Sequence, residues 1–140
     1  MEERVLLAIH GWSSPVLDAV FLFSHQLGTG PFGLVLVLTM VALWWRQGDR
    51  LEARLWGALG LSTYFLQLGL KHFIARPRPS LWEGPVQLHS FAMPSGHALA
   101  AATLYPLLAR AVARRWPHFA RPAYFAAVII AFYIGFGRLY

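Results

Sequence analysis

No cysteine occurs among the 140 residues, so a disulfide, a thiolate metal site and a thiol nucleophile are all excluded. Carboxylates are scarce: Asp and Glu number 6 against 12 Lys and Arg, and a single lysine, Lys71, stands among those basic residues. Charged residues are 13% of the chain, about half the share of an average soluble domain. Beside 57% hydrophobic and 15% aromatic residues, so little charge excludes an ordinary soluble globule, because a domain this small has too much surface to hide that much apolar side chain. A cleaved secretion signal is not indicated: Met1-Glu2-Glu3-Arg4 is acidic, and the apolar Val5–Ile9 is short for a signal core. The formal charge of +6 does not point to nucleic acid, since the basic residues sit at the ends of apolar runs and form no contiguous patch.

Uncharged runs cover Val5–Leu17, Ala19–Trp45, Leu55–Leu70, Gly84–Ala109 and Pro122–Gly137. A membrane-spanning helix needs about 20 mainly apolar residues, and terminal arginines can snorkel outward to lengthen a shorter core. The pattern predicts an all-α polytopic membrane helix bundle with about five transmembrane helices, in a single domain over 1–140 and with the lipid bilayer as its solvent. The expected spans are Pro15 to about Leu27, Phe32 to Trp45, Leu55 to Leu70, Ser95 to about Arg115 with Pro106 as a kink, and Ala123 to about Phe136. Asp18 and His25 make the first of these the least regular. Gly28-Thr29-Gly30-Pro31 reads as a turn, Trp116–Arg121 as a basic turn, and the proline-rich Lys71–Met93 as an ordered loop. The tryptophans fall near the expected interfaces and need no cofactor. Gly57, Gly60 and Gly69 are ordinary small residues of membrane packing and imply no oligomer.

The connections Arg46–Arg54 and Arg110–Arg121 together carry seven arginines and are separated by an even number of spans, so both are expected on the cytoplasmic side. The Lys71–Met93 loop and Arg138 then share the opposite face. Lys71, Arg76, Arg78 and Arg138 violate the orientation rule there, and cations kept against the insertion bias point to chemistry. Lys71 alone also fits a snorkelling helix-end residue.

Each part of that face suits a phosphoryl group. Ser95 is a good N-cap, and the amides of Gly96 and His97 would open a helix whose dipole favours an anion. Arg78 and Arg138 offer planar forks for phosphate oxygens, and Lys71 adds a point charge. His97 can act as general acid to a leaving oxygen. Glu83 is the only carboxylate expected on that face, so a metal-dependent site is hard to build and neither metal nor other cofactor is expected.

Lys71-x6-Arg78-Pro79 followed by Pro94-Ser95-Gly96-His97 resembles the first two signature motifs of the type 2 phosphatidic acid phosphatase (lipid phosphate phosphatase) superfamily, and Gly137-Arg138 resembles the start of the third. The resemblance implies a six-helix membrane enzyme that hydrolyses lipid phosphates or diphosphates without metal, through a phosphohistidine, at a site near the outer face of a bacterial cytoplasmic membrane. Carried over by position, Lys71, Arg78, Ser95, Gly96 and Arg138 would bind the phosphoryl group and His97 would protonate the leaving oxygen. Phosphatidic acid, phosphatidylglycerol phosphate and polyprenyl diphosphates such as undecaprenyl diphosphate are all within the implied substrate class.

The third motif of the family continues to a nucleophilic histidine and an orienting aspartate, and both positions would fall past Tyr140. The expectation is therefore a chain incomplete at its C-terminus. The alternatives are a non-catalytic lipid-phosphate binder, or another histidine in the nucleophile's place. His72 and His89 lie in the outward loop for that role, with Glu83 alone to orient them. His10, His25 and His118 read as interfacial side chains, and Arg76 as a neighbour of the phosphate or of lipid headgroups. A vanadate haloperoxidase shares related motifs, but its soluble architecture disagrees with this composition.

Overall fold

The computed structural model describes residues 7–9, 11–76 and 92–139. After a helical stretch at 7–9, the chain forms α1 (Pro15–Leu27), α2 (Gly30–Arg46), α3 (Arg50–Ile74), α4 (Gly96–Arg115), a 3-10 turn (Pro117–Phe119) and α5 (Ala120–Phe136). Among the described residues there is no strand, and the fold is the expected all-α bundle.

Local chemistry explains where the helices begin. Ser14 accepts from the Leu17 amide (3.3 Å), Thr29 from Phe32 (3.4 Å), Asp49 from Glu52 (3.1 Å) and Ser95 from Ala98 (3.4 Å). Each cap satisfies an amide that the helix itself leaves without an acceptor, worth about 1 kcal/mol. Proline in the first turn of α1 and of α2 sets φ for helix where a missing N–H costs nothing. The expected loop after Leu70 begins later: α3 runs one more turn, to Ile74, and stops where Ala75 turns left-handed (φ 44°), its amide bonded to the Lys71 carbonyl at 2.9 Å. The basic turn also differs from expectation, because Arg121 already belongs to the first turn of α5. Pro106 lies inside α4.

α4 is the central helix. One face, Ala101, Tyr105 and Ala109, packs against Ala127 and Ile134 of α5, with Leu27 beside them. The other, Leu104, Leu107 and Ala111, packs on Trp56 of α3 and on Val37, Met40 and Val41 of α2. Small residues on the first face let the two backbones approach, as helices in lipid require when no hydrophobic effect drives them together. Tyr105 donates its hydroxyl to the Leu27 carbonyl (3.1 Å), and Tyr133 donates to the Val20 carbonyl, fastening α1 across α4 and α5.

The apolar side chains left over face outward: Phe65, Phe73, Phe125 and Phe132 are exposed, Phe73 by 88% and Phe132 by 76%. An exposed belt of this kind is what a lipid solvent covers. By length and apolarity, Pro117–Phe136 can cross a membrane by itself, and α1 with α2 qualify together as one segment bent by 45°. α1 is 13 residues long, about 20 Å, which is short of a bilayer core.

Opposite ends of α3 and α4 meet at a second, charged junction. Glu52, fully buried, accepts from Arg110 Nε (3.1 Å) and Nη2 (2.6 Å) and from Arg114, which also pairs with Asp49 at 2.8 Å. Thus the two arginine-bearing connections lie at one end of the bundle. Burial pushes the Glu52 carboxyl upward, but the hydrogen bonds and charges of Arg110 and Arg114 outweigh it and hold the group below its ordinary range. Asp49 is held down as well, first by the backbone amide of Glu52 and then by Arg114.

Candidate active site

The far end of the same two helices carries the motif residues. Ser95 caps α4, so the amides of Gly96 and His97 open the helix at its positive pole. Gly96 faces Gln67 of α3 so closely that a Cβ there would lie 2.1 Å from Gln67 Nε2. Lys71 follows Gln67 by one turn, on the same side of α3 and within its last turn. Gln67, one turn before Lys71, is the α3 side chain that meets the α4 N-terminus.

His97 is seated on Gly28: a Cβ at that glycine would come within 2.7 Å of His97 Cδ2, 2.9 Å of its Cβ and 3.0 Å of Ile134 Cγ2. The His97 ring stacks on the ring of His25 from α1, with centroids 4.6 Å apart and planes inclined by 24°. Arg138, just beyond α5, reaches His25 Nδ1 with Nη1 at 2.9 Å. Residues that the sequence scatters over α1, α4 and the C-terminal end thus form one cluster.

Of the six predicted site residues, Ser95, Gly96 and His97 are contiguous, Arg138 joins them through His25, and Lys71 lies in the last turn of α3. Arg78 lies outside the described residues, as do Glu83, His89 and His10. Arg76 bonds instead to Met93: Nη1 donates to Sδ at 3.2 Å, while the Ala92 amide donates to the Arg76 carbonyl at 2.9 Å. His72 turns its Nδ1 to the Leu68 carbonyl one turn back, at 2.8 Å. His118 lies against Phe119 with the ring planes tilted by 46°, in the turn before α5 and at the end of the bundle that holds Arg114 and Arg115. Among the described residues, no three His, Asp or Glu side chains come together as metal ligands would.

Two members were not singled out from the sequence. His25 reads as an interfacial residue, and its only local signal is a polar Ser24-His25-Gln26 inside an apolar helix that ends at Gly28. Gln67 carries a similar signal, a lone amide one turn before the single lysine.

A family model described as the PAP2 superfamily matches residues 51–140, the stretch that holds Lys71, the Pro94–His97 motif and Arg138. The chain belongs to the PAP2 superfamily. Phosphatidylglycerophosphatase B of Bacillus subtilis (strain 168) is 30% identical over 134 residues, covering 90% of this chain and 63% of that protein. The chain thus spans less than two thirds of that curated relative. A crystal structure of a transmembrane PAP2-type phosphatidylglycerolphosphate phosphatase from Bacillus subtilis superposes with a TM-score of 0.89 at 27% identity, covering 99% of this chain and 70% of that one. Membership in this family, a transmembrane structural relative and the exposed apolar belt make this a membrane protein.

Proposed function

We propose that the protein is a lipid phosphate phosphatase, acting on a phosphomonoester or diphosphate whose headgroup is held at the start of α4. The reading is carried by the convergence of His97 and Arg138, both within the part of the chain that matches the family, on His25 of α1. Arg138, Arg78 and Lys71 would hold the phosphoryl oxygens with Ser95 and the first amides of α4, stabilising the charge that spreads over those oxygens during transfer. In this reading the nucleophile is the histidine that the third family motif places after Arg138, past Tyr140. Its nitrogen bonds to phosphorus as the bond to the lipid oxygen breaks, and His97 gives that oxygen its proton. Water then cleaves the phosphohistidine and releases phosphate. Protein cations take the part that magnesium plays in other phosphoryl transfers.

Phosphatidylglycerol phosphate heads the candidate substrates because of the named relatives, ahead of phosphatidic acid and polyprenyl diphosphates such as undecaprenyl diphosphate. About five spans in a bacterial cytoplasmic membrane, with the site facing outward, accord with the arginines gathered at the Glu52 end.

The test is phosphate release from these three lipids in detergent with EDTA, by the 140-residue chain and by the chain continued through its downstream reading frame. Release by the continued chain is expected. Preference for soluble phosphates, or loss of activity with chelator that magnesium restores, would overturn the reading. Release by the 140-residue form would move the nucleophile's task to a histidine within it.

A further inference from the structure

His25 is used by no motif, yet it touches two of the residues on which the proposed chemistry rests. Its Nδ1 lies 2.9 Å from Arg138 Nη1, and a guanidinium can only donate, so Nδ1 must be the acceptor and cannot carry a proton. The ring is then neutral, with its proton on Nε2. The same ring lies against His97 at 4.6 Å, where two cationic imidazoles would repel each other as well as Arg138. Gly28 closes on the His97 side chain, so the stack has little room to slip.

We infer that His25 is a positioning residue: it holds the Arg138 guanidinium through Nδ1 and lays a neutral ring on His97, so that a proton taken up by the pair resides on His97. This deepens the phosphatase reading and rests on it for the roles of His97 and Arg138. Among the described residues, the titratable and charged groups seen against His25 are His97 from α4 and Arg138 from beyond α5; on its own helix, Asp18 lies seven residues back and accepts from the Ser13 hydroxyl at 3.2 Å. An arginine acceptor on a neutral ring orients the guanidinium and leaves its positive charge for the substrate, which a carboxylate in the same place would cancel.

The decisive experiment has two arms. Nitrogen-15 NMR of histidine-labelled protein in detergent at neutral pH should show His25 as the Nε2–H tautomer with Nδ1 unprotonated, and Arg138→Ala should move that Nδ1 resonance. A cationic His25, an Nδ1–H tautomer or indifference to Arg138→Ala would overturn the inference. This arm needs no turnover, so it decides the matter even if the phosphatase reading fails. In the chain shown to release phosphate, His25→Ala should lower kcat/KM about tenfold to a hundredfold, the worth of a hydrogen bond to a charged group. His25→Asn keeps an acceptor near the Nδ1 position and should recover most of that loss, whereas His25→Phe keeps only a stacking ring and should not. His25→Ala combined with Arg138→Ala should cost clearly less than the product of the two single losses, because the part of the His25 effect that acts through Arg138 is already gone. Full activity of His25→Phe, or additive losses in the double variant, would overturn it.

Discussion

The two ends of the α3–α4 pair both gather arginine, and they treat it differently. At the Asp49 end, Arg110 and Arg114 close on Glu52 and Asp49, so guanidinium charge is answered by carboxylate charge from the same chain. At the Ser95 end, Arg138 meets the imidazole of His25, which fixes its direction and does not neutralise it. The first arrangement fastens helices. The second sets a cation and a stacked His97 beside the amides of a helix N-terminus, where an anion is favoured. The lesson is that partner chemistry, and not the number of arginines, separates a clasp from a site.

The largest way to break the comparison is chemical. His97→Ala and Arg138→Ala should each lower phosphate release by about a hundredfold to ten-thousandfold, the usual contribution of a positioned acid or oxyanion donor, while helical content by circular dichroism stays unchanged. Glu52→Gln should do the reverse, leaving turnover per folded molecule intact and lowering the thermal midpoint in detergent by on the order of 5–10 °C. If Glu52→Gln abolished activity in folded protein, the clasp would be part of the site and the contrast would fail.

Gly28→Ala should fall between these, because its Cβ would meet the His97 ring and Ile134 at 3.0 Å or less and must displace one of them. A loss of about 1–3 kcal/mol in stability, together with reduced turnover, is expected from such overpacking. A variant with wild-type melting and kinetics would show that His97 is not seated there.

Acid should loosen the clasp end selectively. Asp49 and Glu52 are held below their ordinary values of 3.8 and 4.5 in the folded protein. Their contribution is therefore complete above those ordinary values and is lost as pH falls through the lower folded ones. Melting temperature should drop below about pH 4.5, and the combined Asp49→Asn and Glu52→Gln variant should show a shallower decline over the same window. The smallest effect is that of Ala75→Gly, which relieves a left-handed alanine and should leave melting within about 1 kcal/mol of wild type while α3 ends at the same place.

Much of this was legible locally. Ser95 reads as a cap and does cap α4, and the start of α1 at Pro15 was placed from the sequence; Thr29 and Asp49 also cap their helices, although they read as parts of a turn and of a charged connection. The Pro94-Ser95-Gly96-His97 motif was legible because it too is local. What could not be read were pairings across the chain: His25 meets Arg138 over 113 positions, and Glu52 meets Arg110 and Arg114 over 58 and 62. No helical period encodes such contacts. Hence Arg110 and Arg114 looked like orientation signals, and His25 looked interfacial. The buried Glu52 was hidden further by its setting, since a charged stretch from Arg46 to Arg54 reads as a solvated connection.

The central claim is that the Ser95 end of the bundle handles a lipid phosphate while the Asp49 end holds the helices. The most direct test is phosphate release from phosphatidylglycerol phosphate in detergent with EDTA, measured side by side for the continued wild-type chain, its His97→Ala form and its Glu52→Gln form. The account predicts release by wild type and by folded Glu52→Gln, and almost none by His97→Ala. Undiminished release by His97→Ala, or none by a well-folded wild-type chain, would contradict it.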